Sequence, residues 1–305
     1  MKSIKILSVN SSTERGIKFP VDEIVLSESG IIGDVHSGTG RQISIIDTSH
    51  IELFRKLTGA RETAFGEFAE NITVSGIGTH PVIPFDKFKI GNAELEVVQI
   101  GKPFHDQFRE LGNYVMPRVG IFCRVSKTGS IKAGDFAEYI PKIYKAQIIT
   151  LSDRAYKGEY DDLSGPAVKK LLIDFFEKNK LPYEIHTQII PDDSGMLTEI
   201  IQQSVNSEYD LIITTGGTGI GKRDITVETV QPMLHKEIPG IMEHIRMKYG
   251  SEKPNALLSR SVAGTIKQSL VYTLPGSVKA VNEYMNEILK TLHHLFYMLR
   301  GVDVH

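Results

Sequence analysis

The 305-residue sequence holds a single cysteine, Cys123. One cysteine excludes an intrachain disulfide and a multi-thiolate zinc site, and it fits a reducing compartment. No apolar run approaches the roughly 20 residues needed to cross a bilayer. The apolar patch at residues 4–9 is too short for a signal-peptide core, and its alternation reads as a strand. A cytoplasmic location is expected. An excess of one charge is lacking too: 35 basic residues stand against 37 acidic ones. With no lysine or arginine block, neither nucleic acid nor a membrane is expected as a partner. Internal repeats and low-complexity tracts are absent as well. At roughly 100–200 residues per domain, the length suggests two domains, each able to bury its own core.

What is present divides into two grammars. The first ~140 residues are rich in short alternating apolar runs punctuated by Gly, Asn, Asp and Pro. Residues 4–9, 42–46, 85–90, 95–100 and 120–125 read as strands. Gly91-Asn92 suggests a hairpin, and Lys127-Thr128-Gly129 another. Only residues 48–57 and 106–111 look helical. The fold expected for residues 1–142 is a β-barrel-like domain with small helical additions. After Pro141 the pattern changes. Strands at 146–151, 184–190, 211–215 and 269–274 alternate with helices at about 164–179, 195–205 and 277–299. Ser164 at the cap and Pro166 in the first turn favour the first of these helices. Alternating strands and helices imply βαβ units, so residues 143–305 are expected to form an α/β domain with a mostly parallel sheet.

The sharpest local signal is Thr214-Thr215-Gly216-Gly217-Thr218-Gly219-Ile220-Gly221-Lys222-Arg223-Asp224, directly after a buried strand. Glycines there let backbone N–H groups approach an anion, the threonines add hydroxyls, and Lys222 and Arg223 add positive charge. The stretch is a near miss to a P-loop, because Arg223 stands where Ser or Thr would ligate Mg²⁺. The dinucleotide fingerprint also fails at position 222. The bland alternative is a packing turn, which four glycines in six residues with three threonines argue against.

In a parallel sheet, the loops after residues 151, 190, 215 and 274 are expected to gather at one edge. They carry Ser152-Asp153-Arg154, Pro191-Asp192-Asp193, Arg223-Asp224 and Pro275-Gly276-Ser277. Carboxylates beside a phosphate site make sense with a metal, and Mg²⁺ commonly takes one or two carboxylates with phosphate oxygens and water. Asp192 and Asp224 are the candidate pair. Read singly, Asp192 could be a turn residue and Asp224 a helix cap near Ile225. Adjacent His293-His294 on a helix cannot share a face and are not read as ligands.

At these residues the C-terminal half resembles the MogA/MoaB family. Ordered matches are Thr150-Leu151-Ser152-Asp153-Arg154, Asp162-Leu163-Ser164-Gly165-Pro166, Ile190-Pro191-Asp192-Asp193, the glycine loop, Arg223-Asp224-Ile225-Thr226, Ile238-Pro239-Gly240, Leu258-Ser259-Arg260 and Leu274-Pro275-Gly276-Ser277. The resemblance implies a three-layer, usually trimeric, molybdopterin-binding fold. It implies transfer of AMP from ATP to molybdopterin with Mg²⁺, before a molybdate-inserting enzyme takes over the product. It also implies that Asp192 and Asp224 are the essential, metal-binding carboxylates, and that Gly216, Gly217, Thr218, Gly219 and Ser277 contact nucleotide or pterin phosphate. Thr214, Ser259 and Ser164 are further contacts it suggests. Val227 stands where many relatives carry Pro, a tolerable change at a helix start.

The N-terminal half resembles the MOSC domain of molybdenum-cofactor sulfurases and related proteins. Gly33-Asp34-Val35-His36, Arg41-Gln42-Ile43-Ser44, residues 66–73, Gly101-Lys102-Pro103-Phe104-His105 and residues 129–135 carry the likeness. By family position Arg41, Asn71, His36 and His105 are implied pterin or phosphate contacts. Relatives usually place a cysteine where this chain has Phe104. Cys123, on a strand, could approach that position, but a lone strand cysteine usually serves as a small buried hydrophobe. Three readings follow in order: a molybdopterin adenylyltransferase, a carrier or scaffold for molybdopterin without turnover, and a MOSC-type sulfur transferase using Cys123.

Overall fold

A computed structural model of the chain describes residues 3–59, 63–78, 81–101 and 115–302. It divides into two compact units, Met1–Lys142 and Ile143–His305.

In the first unit the elements are β1 (Ile4–Ser11), β2 (Phe19–Val21), β3 (Glu23–Ser27), β4 (Gly30–Ile31), β5 (Ile43–Asp47), α1 (Thr48–Thr58), β6 (Ile72–Ser75), β7 (Lys87–Ile90), β8 (Ala93–Ile100), α2 (Val115–Val119), β9 (Ile121–Lys127), β10 (Gly129–Lys132) and β11 (Phe136–Ile140). Seven strands run β11-β7-β8-β9-β5-β6-β1, and β1 pairs with β11 to close a barrel. Only β5 and β6 pair in parallel within it. Closure leaves no barrel edge exposed, and the inward side chains, among them Ile6, Ile45, Ile72, Leu95 and Val97, form one apolar core. The Asp47 side chain caps α1 by accepting from the Ser49 N–H.

The Gly91-Asn92 turn joins the paired strands β7 and β8, as its sequence suggests. Two local expectations fail. The turn at 127–129 does not make a hairpin: β9 already has β5 and β8 on its two edges, so β10 pairs with β3 in a separate three-stranded sheet. The strand expected from residue 85 begins only at Lys87, because Phe85 has a left-handed φ of 76°. The helix expected at 106–111 lies outside the described residues.

The second unit comprises β12 (Tyr144–Leu151), α3 (Asp153–Tyr156), α4 (Ser164–Lys178), β13 (Tyr183–Ile190), α5 (Ser194–Asn206), β14 (Leu211–Thr215), α6 (Thr226–Val230), β15 (Lys236–Glu237), α7 (Pro239–Gly250), β16 (Ala263–Ile266), β17 (Ser269–Leu274) and α8 (Val278–Leu299). The sheet order is β13-β12-β14-β17-β16-β15; the first four strands pair in parallel, and β16 pairs antiparallel with both β17 and β15. Alternate β12 side chains feed two cores. Ile149 and Leu151 pack with Leu197 and Ile201 of α5. Tyr144 packs its ring, tilted, 6.1 Å from Phe176 of α4 and 4.8 Å from Phe296 of α8. Helices therefore cover both faces, which is why β12 is buried at all but one position and β14 throughout. Because β12 lies between β13 and β14, the chain leaves it in one direction and returns on its other side. Such a switch point opens a crevice at the carboxyl ends of the strands.

The cap of α4 differs from the sequence expectation. Its N-cap residue Leu163 offers no side-chain bond. Instead the Asp162 carboxylate accepts from the backbone N–H groups of Ser164 and Gly165 and from the Ser164 hydroxyl. A carboxylate accepts several bonds at once, which a hydroxyl already donating cannot match.

Candidate active site

The loops that leave β12, β13 and β14 meet around a cavity of about 420 Å³. Residues 151–154 line it from the first loop, Asp192 from the second, and Gly217 with residues 221–224 from the third. The wall thus holds three carboxylates, Asp153, Asp192 and Asp224, and three cations, Arg154, Lys222 and Arg223. Asp153 Oδ1 accepts from the Asp192 N–H at 3.1 Å, and its Oδ2 lies 3.5 Å from Arg223 Nη1. Burial pushes the Asp192 carboxyl above its ordinary value. The charge of Asp153 and, less, that of Asp224 push the same way, while Arg223 opposes them. Carboxylates and cations thus alternate around one partly buried wall, and burial weighs most on Asp192.

The glycine loop is shaped by what it must admit. Gly216 has a φ of 101°, and a Cβ there would stand 2.4 Å from the Leu151 carbonyl oxygen, so no other residue can follow β14 on this path. Asp224 Oδ2 accepts from the Gly221 N–H at 2.6 Å. Cβ atoms at 219 or 221 would come within 2.8 and 2.9 Å of that oxygen. These two glycines make room for the carboxylate itself. Asp224 does not cap α6, whose N-cap residue Ile225 makes no side-chain bond.

Arg260 holds the loop from behind. Its backbone N–H donates to Thr218 O at 3.1 Å, Nε to Gly219 O at 2.8 Å and Nη2 to Asp224 O at 3.4 Å. Both Nη atoms also engage the Glu228 carboxylate. This is the planar fork of a guanidinium used on several acceptors at once, which lysine cannot reproduce.

The other sequence-derived residues sit elsewhere. Gly216, Thr218 and Gly219 shape the loop but do not line the cavity. Thr214 is fully buried in β14, and its hydroxyl has no hydrogen-bond partner among the described residues. Ser164 is buried against Asp162. Ser259 Oγ lies 2.9 Å from Ser261 Oγ, and Ser277 caps α8 by accepting from the Ala280 N–H.

In the first unit, Asn71 is 1% exposed and its amide is fully used. It donates to Asp34 Oδ2 at 2.9 Å and to the Asn10 carbonyl, and accepts from the Ser44 N–H and hydroxyl. Asp34 is the hub. It also accepts from Lys18 Nζ at 2.6 Å and from the His36 N–H at 3.0 Å, and neither the Lys18 nor the Asp34 side chain is exposed. Burial pushes the Asp34 carboxyl up, but the bonds from His36 and Lys18 outweigh it and hold it well below the usual carboxylate range. Arg41 is exposed, donating to Gln99 Oε1 at 2.7 Å with its guanidinium 5.8 Å over the Phe122 ring. Cys123 is wholly buried in the barrel core, where burial, then the charges of Glu96 and Asp86, push its thiol far up. Phe104 and His105 lie outside the described residues. A second cavity, of about 1070 Å³, is bordered by Asp47, Glu52, Ile77, Glu138 and Tyr139 among others. None of the sequence-derived site residues that the structure describes lines it.

Comparison with known proteins matches residues 147–294 to a family described as a probable molybdopterin binding domain, and residues 32–138 to the MOSC domain. Molybdenum cofactor biosynthesis protein B of Staphylococcus carnosus is 41% identical over 155 residues, which cover 50% of this chain and 88% of that protein. The chain belongs to the molybdopterin-binding family. Two further relatives bear the name molybdopterin adenylyltransferase. The one from Helicobacter pylori is 34% identical over 155 residues, covering 50% of this chain and 86% of its own. The one from Pyrococcus furiosus is 38% identical over 160 residues, covering 51% of this chain and 90% of its own. The molybdopterin-binding half is thus preceded here by a MOSC domain, and most of the seven-stranded barrel falls within the matched residues.

Within the molybdopterin-binding half, sequence reasoning singled out Ser259 and Ser164 where the structure gives the contacts to Arg260 and Asp162. Both neighbours stood in the quoted motifs. The available signal was chemical: a motif arginine or aspartate can fix several backbone groups, a serine few. Asp153 was also in a motif, and it is the residue that joins two of the three loops.

Proposed function

We propose that the molybdopterin-binding half transfers AMP from ATP to molybdopterin in molybdenum-cofactor biosynthesis, releasing pyrophosphate. The observation that carries this reading is the shared cavity of Asp192, Asp224 and the glycine loop. The names of the relatives from Helicobacter pylori and Pyrococcus furiosus support it. In the reaction, an oxygen of the molybdopterin terminal phosphate attacks the α-phosphorus of ATP, and the bond to pyrophosphate breaks. The substrate supplies the nucleophile, so the protein's work is positioning and charge stabilisation. Arg154, Lys222 and Arg223 offset phosphate charge, and Gly217 allows phosphate oxygens to reach the backbone closely.

The residues fit a divalent metal. Asp192 and Asp224 border one cavity, and the charge of Asp224 is among those that act on Asp192. Among the described residues no group of three His, Cys, Asp or Glu is arranged to hold a metal, and Mg²⁺ needs none, since it takes one or two carboxylates and completes its shell with phosphate and water. Bound there, Mg²⁺ supplies positive charge against the phosphate oxygens.

The MOSC half, in this reading, receives or guides the pterin and performs no thiolate chemistry. The sole cysteine is locked in the barrel core with its thiol pushed far above neutrality. The reading extends to a trimer that hands its product to a molybdate-inserting enzyme in the cytoplasm; among the described residues no helix is long and apolar enough to cross a membrane. The test is incubation of purified protein with ATP, Mg²⁺ and molybdopterin, following pyrophosphate and adenylyl-molybdopterin. Mg²⁺-dependent appearance of both is expected. Tight molybdopterin binding without either product would make the protein a carrier.

A further inference from the structure

Asp153 has no part in the pair of carboxylates assigned to the metal, yet its two oxygens reach the two other loops of the site. It opens α3, whose first turn is fixed by Ser152: the Ser152 hydroxyl accepts from the Ala155 N–H, and the Ser152 N–H donates to Ile190 O at the end of β13. From this fixed point Oδ1 accepts from the Asp192 N–H at 3.1 Å and Oδ2 stands 3.5 Å from Arg223 Nη1. Asp153 is 30% exposed at its side chain and Arg223 77%. An ion pair this open to water adds little to folding stability, so its consequence is geometric. Arg223 has a long side chain with many rotamers, on a loop whose glycines give no lateral support. Without Asp153 nothing else in the described structure ties its guanidinium to the cavity wall.

We propose that Asp153 is a positioning residue for the phosphate chemistry of this cavity: one oxygen sets the Asp192 loop, the other holds the Arg223 guanidinium at the wall where substrate phosphates enter. The inference deepens the adenylyl-transfer reading and rests on it for the identity of the phosphates. Asp153 acts through its neighbours, and the prediction is that its effect disappears when Arg223 is gone.

The test is a double-mutant cycle of Asp153→Asn and Arg223→Gln, read in two ways. Asparagine keeps an acceptor for the Asp192 N–H and removes the charge that holds Arg223. In AMP transfer, Asp153→Asn is expected to lower kcat roughly tenfold or more with a smaller change in KM, as expected when reacting groups are misplaced. The double variant is expected to match Arg223→Gln alone within about twofold, the margin within which independent sites add. Effects that simply multiply, or an unchanged kcat in Asp153→Asn, overturn the proposal. The second readout needs no turnover: ATP affinity by calorimetry without Mg²⁺, across the same four proteins. Coupling is expected there too, and its absence overturns the proposal even if the wild type transfers AMP. If the wild type binds ATP but makes no product, the adenylyl-transfer reading fails while the cycle still decides Asp153. In the free protein, NMR of Asp153→Ala is expected to shift the Asp192 amide and the Arg223 Nε–H resonances; if neither moves in a folded variant, the proposal is wrong whatever the ligand. Asp153→Glu, which keeps the charge on a longer stem, is expected to recover part of kcat, and should it fold where Asp153→Asn does not, it carries the same cycle.

Discussion

Each half of the molecule has a cluster of polar groups, and the two are built on opposite terms. In the MOSC barrel, Lys18 and Asp34 are wholly buried, and Asn71, His36 and Ser12 supply further bonds to the carboxylate. In the molybdopterin-binding half, Asp153, Asp192 and Asp224 stand half-exposed around a cavity, and burial, then the charge of Asp153, leaves Asp192 with its carboxyl pushed up. The first arrangement is complete without a ligand. The second leaves its charged groups, of both signs, facing an open cavity. A buried, saturated polar cluster specifies structure, whereas a charged one facing a cavity marks a place for chemistry.

The contrast can be broken by two substitutions. Asp224→Asn is expected to reduce AMP transfer by about 10²–10³-fold, the scale on which removing one group that stabilises transition-state charge acts. Its stability should change little, because the asparagine oxygen can still accept from the Gly221 N–H. Thermal melting beside the transfer assay checks both halves of that statement; an active variant with unchanged Mg²⁺ dependence would remove Asp224 from the site. Asp34→Ala should do the reverse. It leaves Lys18 buried without its partner, and breaking a buried pair costs about 3–5 kcal/mol. Denaturant unfolding should show that loss, while AMP transfer by the molecules that remain folded stays near wild type.

A third prediction sharpens the comparison within the molybdopterin-binding half. Glu287 of α8 is 7% exposed at its side chain and accepts from Lys248, Lys290, His244 and Tyr249. The bond from Lys248, then that from Lys290, bring its carboxyl down to about 2, against an ordinary 4.5. A depressed folded-state value means the stabilisation is complete above the unfolded value and fades as pH falls from about 4.5 through about 2. Glu287→Gln should therefore lower the melting temperature at neutral pH and shrink the difference from wild type across that acid window. A constant gap from pH 6 to pH 2 would show that the lysines do not set this carboxyl. Its lysine partners are 45% and 62% exposed, so solvent screens them and the effect is smaller than that of Asp34.

Much of the fold can be read from the chain, for reasons these residues make plain. The strand at residues 211–215 joins an apolar run, Leu211–Ile213, to two β-branched threonines before the glycines, and β14 occupies those residues. The Gly91-Asn92 turn is local chemistry, and it forms. What escapes is whatever depends on a partner distant in sequence. Nothing near residue 129 says that β9 has both edges taken, because β5 and β8 come from far upstream. The same holds at the site. Spacing brings Asp192 and Asp224 to attention, but Arg260 reaches Gly219 across 41 positions and Asp153 reaches Asp192 across 39. Sequence names the residues that bear charge beside glycines; only the fold tells which of them hold the others.

The smallest expected effect concerns the residue that most separates this MOSC half from a sulfur-transferring one. Cys123 sits on β9 opposite Ile43 of β5 and Val97 of β8, with no exposed surface. A nucleophilic sulfur must be ionised and reachable, and here burial opposes both. Cys123→Ser is thus expected to leave AMP transfer unchanged and to cost about 1–3 kcal/mol of stability, the penalty of a buried hydroxyl lacking a good partner. Cys123→Ala should cost less, because it adds no polar group. If the thiol acts chemically, the order inverts in activity: both variants lose it alike, and native protein reacts with a thiol reagent before it unfolds. Reaction only under denaturant, together with a serine variant less stable than the alanine one, identifies Cys123 as a packing residue of the barrel.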